Sequence, residues 1–327
     1  MTSAPQYTAT DAADHPAMNH SVEIPTNFPA GARNAAEAFP FLAPPALAAR
    51  LMAERGEGPL SRQFLPTVEE LQEVPGYTTD PLNESCTQKI PGLITKYPGR
   101  VLLKVTTGCV VHCRFCFRRH DRATPTPMRP RAFRPALEAI AADSSLREVI
   151  LSGGDPLTLS DRRLERLAVR LADIPHLKRL RIHTRAPVFL PKRITPRLIR
   201  ILTGSRLTPI VVVHVNHAAE LDSPARAALA RMVDAGIPLL NQSVLLKGVN
   251  DDVESLAALC EALIDARVMP YYLHLLDAVA GAAHFEVPEA RGRELMIALR
   301  ACLPGYAVPR LVREVVGLSS KQGILYA

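Results

Sequence analysis

Residues 101–120 read VLLKVTTGCVVHCRFCFRRH, an apolar run followed closely by three cysteines. The run at 101–105 has the composition of a strand, and Cys109, Cys113 and Cys116 then fall within one loop. Thiols gathered this tightly bind a metal or an iron–sulfur cluster far more often than they simply pack in a core. Three ligands, rather than four, leave one metal position open for chemistry.

The apolar run is the first of a series in which strands and helices alternate. Candidate strands lie at 101–106, 147–152, 179–183, 209–215, 238–245 and 268–274. Candidate amphipathic helices lie at 132–142, 161–173, 195–203, 223–235, 252–265 and 289–301. Near-continuous apolar strands are typical of parallel sheets that are covered on both faces. We therefore predict an α/β fold, a partial (βα)6 TIM-like barrel with an N-terminal extension and a short C-terminal segment.

The region before the barrel has a different composition. Residues 1 to about 45 are rich in Ala, Pro, Thr and Asn without periodicity, which predicts a loose arm. Leu47 and Leu51, four apart, predict a short helix, and the capping-box spacing of Thr67 and Glu70 predicts another. These shifts predict three segments: an arm and helical region at 1–95, a barrel at 96–280 and a C-terminal helix and segment at 281–327.

Composition excludes several classes of protein. The chain has 327 residues, 47% of them hydrophobic, which is enough for a large core. No run reaches membrane-spanning length, and the first residues carry neither the basic nor the apolar region of a secretory signal. Three of the six cysteines are clustered, whereas Cys86, Cys260 and Cys302 stand singly and are interpreted as unligated. This is not a disulfide framework, and it favours a reducing compartment, the cytoplasm.

The chain is basic, with a net charge of +7 and a pI near 9.3. Such a balance can mark a nucleic-acid binder. Here the basic residues are scattered, mostly arginine, and no dense run is interleaved with aromatic residues. We therefore predict an ordinary solvated surface and neither a nucleic-acid nor a membrane partner, while a docking face for an acidic partner stays open.

Polar residues and glycines recur at the ends of the predicted strands. They form five groups: residues 152–155, 183–185, 214–217, 241–243 and 274–277. Each group alone is a weak signal, because Gly-Gly is usually a turn and a strand-end histidine is often only hydrogen-bonded. Because the carboxyl ends of parallel strands share one rim of a barrel, their recurrence predicts an active site there.

The Cys-x3-Cys-x2-Cys spacing after a first strand resembles the signature of radical S-adenosylmethionine enzymes. In that family the three thiolates hold a 4Fe-4S cluster, whose open iron binds S-adenosylmethionine and yields a deoxyadenosyl radical. The resemblance implies Cys109, Cys113 and Cys116 as the cluster ligands. The alternative is a zinc site with His112 or His120 as the fourth ligand.

Longer stretches resemble the lysine 2,3-aminomutases: residues 113–120, 151–157, 181–185, 241–246 and 270–274. Residues 117–120, which end the first of these stretches, and residues 281–285 are similar to the sequences of a short branch of the family. That branch makes β-lysine for elongation factor P. The resemblance runs from about Pro75 to Lys321. It implies an isomerase that converts free L-α-lysine to β-lysine, a reductant such as flavodoxin or ferredoxin, and an indirect link to elongation factor P and its lysine ligase.

Two other functions stay open. One is the same radical chemistry on another amino acid, such as glutamate. The acidic residues assigned below argue against a substrate with an acidic side chain. The other, from a different class, is a non-enzymatic metal-binding or nucleic-acid-associated protein, suggested by the thiol cluster and the basic pI.

The resemblance also assigns the lysine that binds pyridoxal phosphate and the residues that bind the substrate. The family binds pyridoxal phosphate as a Schiff base to a C-terminal lysine, and Lys321 occupies that position, in the cofactor-binding C-terminal segment. Residues 317–320 read GLSS where the aminomutases have a run of glycines. Arg118 matches the residue that binds the substrate α-carboxylate, and a planar guanidinium suits that role. Asp277 and Glu314 match two acidic residues that hold the distant ε-ammonium.

The remaining assignments concern the cofactors. Gly153, Gly154 and Asp155 match the loop that meets the amino group of S-adenosylmethionine, and His214 and Gln242 match further contacts to it. Arg185, Lys96 and Arg100 match the anchor of the pyridoxal phosphate. Cations in that position suit a phosphate dianion.

Overall fold

One sheet organises the protein, and the computed structural model describes residues 30–121 and 133–326 of the chain. Its nine strands lie in chain order: β1 Leu93–Tyr97, β2 Arg100–Thr106, β3 Glu148–Gly153, β4 Arg179–Thr184, β5 Thr208–Val213, β6 Leu239–Val244, β7 Met269–His274, β8 Arg310–Arg313 and β9 Gln322–Gly323. Strands β2 to β8 are parallel, and β1 and β9 pair antiparallel at the two edges. Within the described residues β1 and β9 do not pair with each other, so the barrel is partial, as predicted.

Helices connect the parallel strands. Those before the barrel are α1 Ala30–Ala38, α2 Pro45–Ala53, α3 Pro59–Phe64 and α4 Glu84–Thr87. Those within it are α5 Arg134–Ala142, α6 Asp161–Ala172, α7 Ala186–Phe189, α8 Pro196–Thr203, α9 Ser223–Asp234, α10 Val253–Asp265 and α11 Glu289–Cys302. The six predicted strands and the described parts of the six predicted helices are confirmed within about two residues at each end. The start of the first predicted helix lies outside the described residues.

The core lies on both faces of the sheet, as near-continuous apolar strands require. In β5 the side chains of Val211, Val212 and Val213 are all fully buried, and in β3 residues 148–152 are buried in succession. No helix within the described ranges is long and apolar enough to cross a membrane.

A seventh parallel strand, β8, was not predicted. It has four residues and begins and ends with an arginine, so it lacks the apolar run that identified the other strands. It pairs with β7 through Tyr272, Leu273 and His274, and it delivers Glu314 to the rim of the barrel.

The prediction of a loose arm as far as residue 45 is wrong for residues 30–38, which form α1. The helix buries Ala35 and leads into the buried Phe39, but its other residues are mostly small or polar and give little periodic signal. The helices predicted after Pro44 and at Thr67 are confirmed as α2 and as a short 3-10 helix at Val68–Leu71. Residues 1–29 of the arm lie outside the described part of the chain.

Candidate active site

The cysteine loop, residues 107–120, follows β2 and is held from outside by the N-terminal helices. The His112 amide donates to the carbonyl of Leu42 at 3.0 Å, and its Nδ1 lies 2.7 Å from the carbonyl of Pro40. The ring stacks on Phe39 with a centroid separation of 5.1 Å. His112, between the first two cysteines, therefore faces the N-terminal region and fixes the loop there.

A buried ion cluster forms the second anchor of the loop. Arg114 is fully buried and donates two hydrogen bonds to the Glu70 carboxylate, at 2.8 and 2.7 Å. Arg119 donates to the same carboxylate at 2.5 Å. The remaining donors of Arg114 reach the carbonyls of Phe39 and Ala35 at 2.8 and 3.2 Å. Two buried guanidiniums thus depend on one buried carboxylate, which ties the cysteine loop to the N-terminal helices.

The three thiols lie close enough to affect one another electrostatically. Burial raises the pKa of Cys113 to about 12, Arg185 opposes the rise, and Cys116 and Cys109 add to it. A thiol with this pKa stays protonated in the metal-free protein, so iron binding must expel a proton. Within residues 30–121 and 133–326, no group of three His, Cys, Asp or Glu side chains converges to hold a single metal ion. In an iron–sulfur cluster each thiolate binds a different iron, so such convergence is not needed.

The two histidines considered as a fourth zinc ligand are engaged elsewhere. His112 contacts the Pro40 carbonyl, and Nε2 of His120 lies 2.9 Å from the carbonyl of Ala280. The donor set that remains beside the loop is three thiols, which fits iron–sulfur chemistry better than zinc.

Two glycines after β3 let the chain pack directly on the backbone that leads into the cysteine loop. Gly153 has φ of +106°, and a Cβ there would lie 2.5 Å from the carbonyl oxygen of Thr106. A Cβ on Gly154 would lie 2.1 Å from the carbonyl oxygen of Gly108. The Gly154 amide donates a hydrogen bond to the carbonyl oxygen of Thr106 at 2.6 Å, and the Asp155 amide donates one to the carbonyl oxygen of Gly108 at 2.7 Å. No other residue type allows this approach.

The Gly154→Ala substitution is therefore expected to displace the cysteine loop. The clash is with backbone, which cannot rotate away, so we expect a loss of about 1–3 kcal/mol in the free energy of unfolding. Gly305→Ala is the control, because a Cβ there has no neighbour within 4 Å. Thermal denaturation and iron content after reconstitution measure the effect; a Gly154→Ala protein with normal values for both would refute the packing argument.

The Asp155 side chain is saturated with hydrogen bonds inside the protein. One carboxylate oxygen accepts from the Leu157 amide at 3.0 Å and the Thr184 hydroxyl at 2.6 Å. The other accepts from the amides of Arg185 and Ala186 at 2.8 and 3.1 Å. A carboxylate offers about four such positions, so none is left for a ligand. The Asp155 side chain joins the ends of β3 and β4, and contact of this loop with S-adenosylmethionine stays a prediction for Gly153 and Gly154.

Arg185, predicted to anchor a phosphate, lies beside the cysteine loop. Its guanidinium is 5.3 Å from the ring of Phe115 and forms a 3.4 Å ion pair with the buried Glu220. None of its described contacts is with Lys96, Arg100 or Lys321, the other residues assigned to pyridoxal phosphate. Arg185 therefore lies near the cysteine loop, and its assignment to the phosphate anchor stays a prediction.

Three histidines at the strand ends carry a buried Nε2 without a hydrogen-bond partner among the described residues: His183 on β4, His214 after β5 and His274 on β7. The rings of His183 and His214 meet edge to face with centroids 5.4 Å apart. Burial, reinforced by nearby cations, lowers the pKa of His214 to about 3 and takes those of His183 and His274 well below the usual value. Buried polar atoms in native proteins are nearly always satisfied, so these neutral imidazoles indicate ligands in the barrel mouth.

Lys321 lies at the open seam of the barrel, paired with Glu314. The Glu314 carboxylate accepts hydrogen bonds from Lys321, from Tyr97 and, at 2.6 Å, from Lys96. Burial raises the pKa of Glu314, but Lys321 and the other donors outweigh it and lower the pKa to about 2. Burial lowers the pKa of Lys321, which Glu314 opposes. The seam thus joins β1 to the segment after β8 through one ionised carboxylate.

Asp277 is half-buried beside this seam and accepts no side-chain hydrogen bond from any described residue. Burial raises its pKa to about 7, and the charge of Glu314 adds to the rise, although Lys321, Lys96 and Arg118 oppose it. A carboxylate in this state lacks a cation, which a substrate ammonium could supply.

Arg118, in the cysteine loop, contacts the end of β3 and helix α4. It forms a two-point ion pair with Glu84, and its Nη1 donates to the Ser152 hydroxyl at 3.1 Å. Burial alone would lower the pKa of Arg118, but Glu84 raises it overall. Arg118 is therefore a charged donor beside Ser152, and its predicted role toward a substrate α-carboxylate stays a prediction.

Two further predicted residues have fewer contacts. Gln242 lies on β6 next to Tyr272 of β7, and its side chain has no hydrogen-bond partner among the described residues. The Arg100 guanidinium stacks on the ring of Tyr97 at 4.7 Å, close to Lys96. Both positions leave polar groups available at or near the rim.

Sequence reasoning missed three residues that the structure brings close to the predicted site residues: Glu84, Tyr97 and Tyr272. His183 and His274 were among the predicted polar groups at the strand ends, although the sequence assigned them no individual role. Glu84 and Tyr97 carry no local signal, because their partners lie 34 and 217 residues away in the chain.

Comparisons with known proteins agree with this site. Residues 103–260 match the family model described as the Radical SAM superfamily. The L-lysine 2,3-aminomutase of Escherichia coli (strain K12) is 46% identical over 289 residues, 88% of this chain and 84% of that protein. The L-lysine 2,3-aminomutase of Haemophilus influenzae is 42% identical over 271 residues, 83% of this chain and 80% of that protein. A solved radical SAM methyltransferase from Sphaerobacter thermophilus is 21% identical, with a TM-score of 0.47 and coverage of 68% of each chain.

The protein is a partial parallel barrel in which the first inner strand leads into a three-cysteine loop. This combination defines the class of radical SAM enzymes. Within that class, identity over more than four fifths of this chain decides the family: the chain belongs to the L-lysine 2,3-aminomutase family. The protein is an isomerase, and its family implies three cofactors: a 4Fe-4S cluster, S-adenosylmethionine and pyridoxal phosphate. The thiol donor set, the glycine cradle and the unsatisfied imidazoles fit these groups.

Proposed function

We propose that this protein converts L-lysine to β-lysine by moving the α-amino group to the neighbouring carbon, with pyridoxal phosphate bound at Lys321. The observation that carries the proposal is the acidic pair beside that lysine. Glu314 already binds one ammonium, that of Lys321, and the unpaired Asp277 lies in its electrostatic range. A substrate with a cationic side chain satisfies both carboxylates, whereas glutamate would add a third negative charge.

The residues fit the two ends of such a substrate. Arg118 offers a guanidinium to the α-carboxylate, and Asp277 with Glu314 offers negative charge to the ε-ammonium. The neutral imidazoles of His183 and His214 are within electrostatic range of both Arg118 and Lys321, and they would provide hydrogen bonds without competing charge. The two charged ends thus fix the position and direction of the substrate, which is how a site places one carbon–hydrogen bond for reaction.

The same residues would hold the cofactors. Cys109, Cys113 and Cys116 would hold the cluster, while Gly153, Gly154, His214 and Gln242 would contact S-adenosylmethionine. Lys321, Lys96 and Arg100 would hold pyridoxal phosphate, which places this cofactor at the seam between the barrel and the C-terminal segment 281–327. When bound, these groups supply radical chemistry and an electron sink for amino-group migration.

The protein's own contribution at the seam includes proton handling. Lys321 must lose a proton before its amine can bond to a carbonyl carbon, and burial favours the neutral amine. Glu314 stays ionised because its pKa is about 2, so it holds the ammonium form until a cofactor or substrate replaces it.

Lysine binding should depend on pH through Asp277. Its raised pKa of about 7 means that the carboxyl group is largely protonated below neutral pH and must ionise before it can pair with an ammonium. The apparent Kd for L-lysine should therefore rise about tenfold for each pH unit below 7 and stay level above it. Glu314 and His214 titrate far below this range, so they do not produce the effect.

Equilibrium dialysis with labelled L-lysine between pH 5 and pH 9 measures this dependence. The Asp277→Asn variant is the matched control, and it should bind weakly at every pH with no inflection near 7. An identical inflection in Asp277→Asn would assign the titration to another group.

Anaerobic turnover tests the proposed reaction. Reconstituted protein receives S-adenosylmethionine, pyridoxal phosphate, a strong reductant and either L-lysine or L-glutamate, and mass spectrometry after derivatisation identifies the product. β-Lysine from lysine alone is the expected result. Formation of β-glutamate alone would show that glutamate, and not lysine, is the substrate. If protein with a verified cluster forms neither product, the proposed reaction is refuted.

We further propose that the β-lysine serves the modification of elongation factor P, and that a flavodoxin or ferredoxin supplies the electron. Support comes from the Phe117-to-His120 ending and residues 281–285, which resemble the branch with that role. A coupled assay with elongation factor P and its lysine ligase tests the link. The expected mass increase of the factor requires this enzyme and L-α-lysine; an equal increase without the enzyme would contradict the role.

A further inference from the structure

Glu84 contacts the face of the site where the substrate carboxylate is expected, although neither the sequence motifs nor the family comparison assigns it a role. It is the first residue of α4, and its carboxylate binds Arg118 at two points: Nε at 2.9 Å and Nη2 at 2.6 Å. Both side chains are largely buried, with 17% of Glu84 and 12% of Arg118 exposed. A two-point pair of this kind fixes the plane of a guanidinium as well as its position.

The contacts leave one edge of Arg118 available. A guanidinium has five N–H donors, and Glu84 uses the edge formed by Nε and Nη2. Ser152 accepts one bond from Nη1, and the guanidinium lies 4.5 Å from the ring of Phe117. Among the described residues, the two N–H groups that remain lie one on each terminal nitrogen. These two nitrogens form the second carboxylate-binding edge of an arginine.

The chain holds Glu84 firmly in this position. Asp80 accepts hydrogen bonds from the amides of Glu84 and Ser85 at 2.9 and 3.0 Å, which caps the short helix. Farther back, Thr78 pairs with the loop after β7: its amide donates to Ala278, and the Ala280 amide donates to its carbonyl, both at 2.9 Å. The segment from Thr78 to Glu84 thus spans from the Asp277 side of the mouth to Arg118.

We propose that Glu84 is a positioning residue that selects for an α-carboxylate, by fixing Arg118 so that its terminal-nitrogen edge faces the substrate. This inference rests on the proposed function, which makes Arg118 the carboxylate-binding residue. Glu84 does not touch the substrate; it occupies the competing edge and keeps the guanidinium from rotating. Loss of its charge frees the guanidinium to adopt other orientations.

The Glu84→Gln variant tests this role by steady-state kinetics and by equilibrium dialysis with L-lysine. We expect KM and the Kd for L-lysine to rise about tenfold to a hundredfold, with a much smaller change in kcat. L-Lysinamide, whose amide replaces the carboxylate, is the discriminating ligand: its Kd should barely differ between wild type and Glu84→Gln. Glu138→Gln, which breaks the exposed Arg134–Glu138 pair, is the control and should leave both ligands unaffected.

Three outcomes would overturn the proposal. Tighter lysine binding by Glu84→Gln would mean that Glu84 competes with the substrate for Arg118. Equal losses for lysine and lysinamide, or a lower melting temperature without a ligand-specific effect, would assign Glu84 a structural role only. A wild-type protein that binds no lysine would refute the proposed function itself, which separates that failure from a failure of the Glu84 proposal.

Discussion

The Lys321→Ala variant should form β-lysine at least about four orders of magnitude more slowly than wild type. The substitution removes the only amine that the family resemblance assigns to the bond with pyridoxal phosphate, and Lys96, the other lysine paired with Glu314, is assigned only to anchor the cofactor. It also leaves Glu314 with Lys96 and Tyr97 as its remaining donors. Loss of the cofactor's bound absorbance should accompany the loss of rate, while the iron content stays at the wild-type level.

Cys113→Ala gives the complementary result. It should lose iron and turnover but retain pyridoxal phosphate absorbance, because the cysteine loop and the seam are separate parts of the rim. Lys192→Ala, which changes an exposed lysine outside the rim, should behave as wild type in both spectra and in rate. Wild-type turnover by Lys321→Ala with the cofactor still bound would remove Lys321 from the proposed function.

The second large effect concerns stability. Glu70→Gln should lower the free energy of unfolding of the cluster-free protein by about 3–5 kcal/mol, because two buried guanidiniums would lose their counter-ion. Only 1% of the Glu70 side chain is exposed, and Arg114 and Arg119 are buried with it. Since the same carboxylate ties the cysteine loop to the N-terminal helices, the variant should also take up less iron on reconstitution.

Glu69→Gln is the matched control, since it makes the same substitution at the adjacent, exposed position. Denaturant titration of the two variants beside wild type measures the difference. If Glu70→Gln unfolds at the same denaturant concentration as Glu69→Gln, the ion cluster does not hold the loop.

The barrel was predictable because its inner strands are apolar runs, as in β3 and β5, or alternate between apolar and polar residues, as in β2 and β4, and its helices are amphipathic. Both patterns are local, so residues 101–274 show them without any knowledge of tertiary contacts. Strand β8 escaped prediction because it is short, begins and ends with arginine, and depends on pairing with β7. Helix α1 escaped because its residues are mostly small or polar, and because Arg114, which donates to the Ala35 carbonyl, lies more than 70 residues away.

The residues of the site also divide into those that a local sequence pattern identifies and those that depend on distant partners. The cysteines, the Gly-Gly turn and the strand-end histidines lie next to local patterns, so the sequence places them at the rim. Glu84, Tyr97 and Glu70 have partners far along the chain, and no spacing rule connects them. Asp155 shows the opposite limit: a motif placed it correctly in the loop, but only the structure shows that four internal hydrogen bonds occupy its carboxylate.

We propose above that this site moves the α-amino group of L-lysine to the adjacent carbon. The most direct test is turnover of L-lysine that carries a heavy nitrogen isotope only in its α-amino group, followed by mass spectrometry of the product. The expected product is β-lysine with the isotope in its β-amino group and none in its ε-amino group. Product with unlabelled nitrogen at the β position, or no β-lysine from fully reconstituted protein, would contradict it.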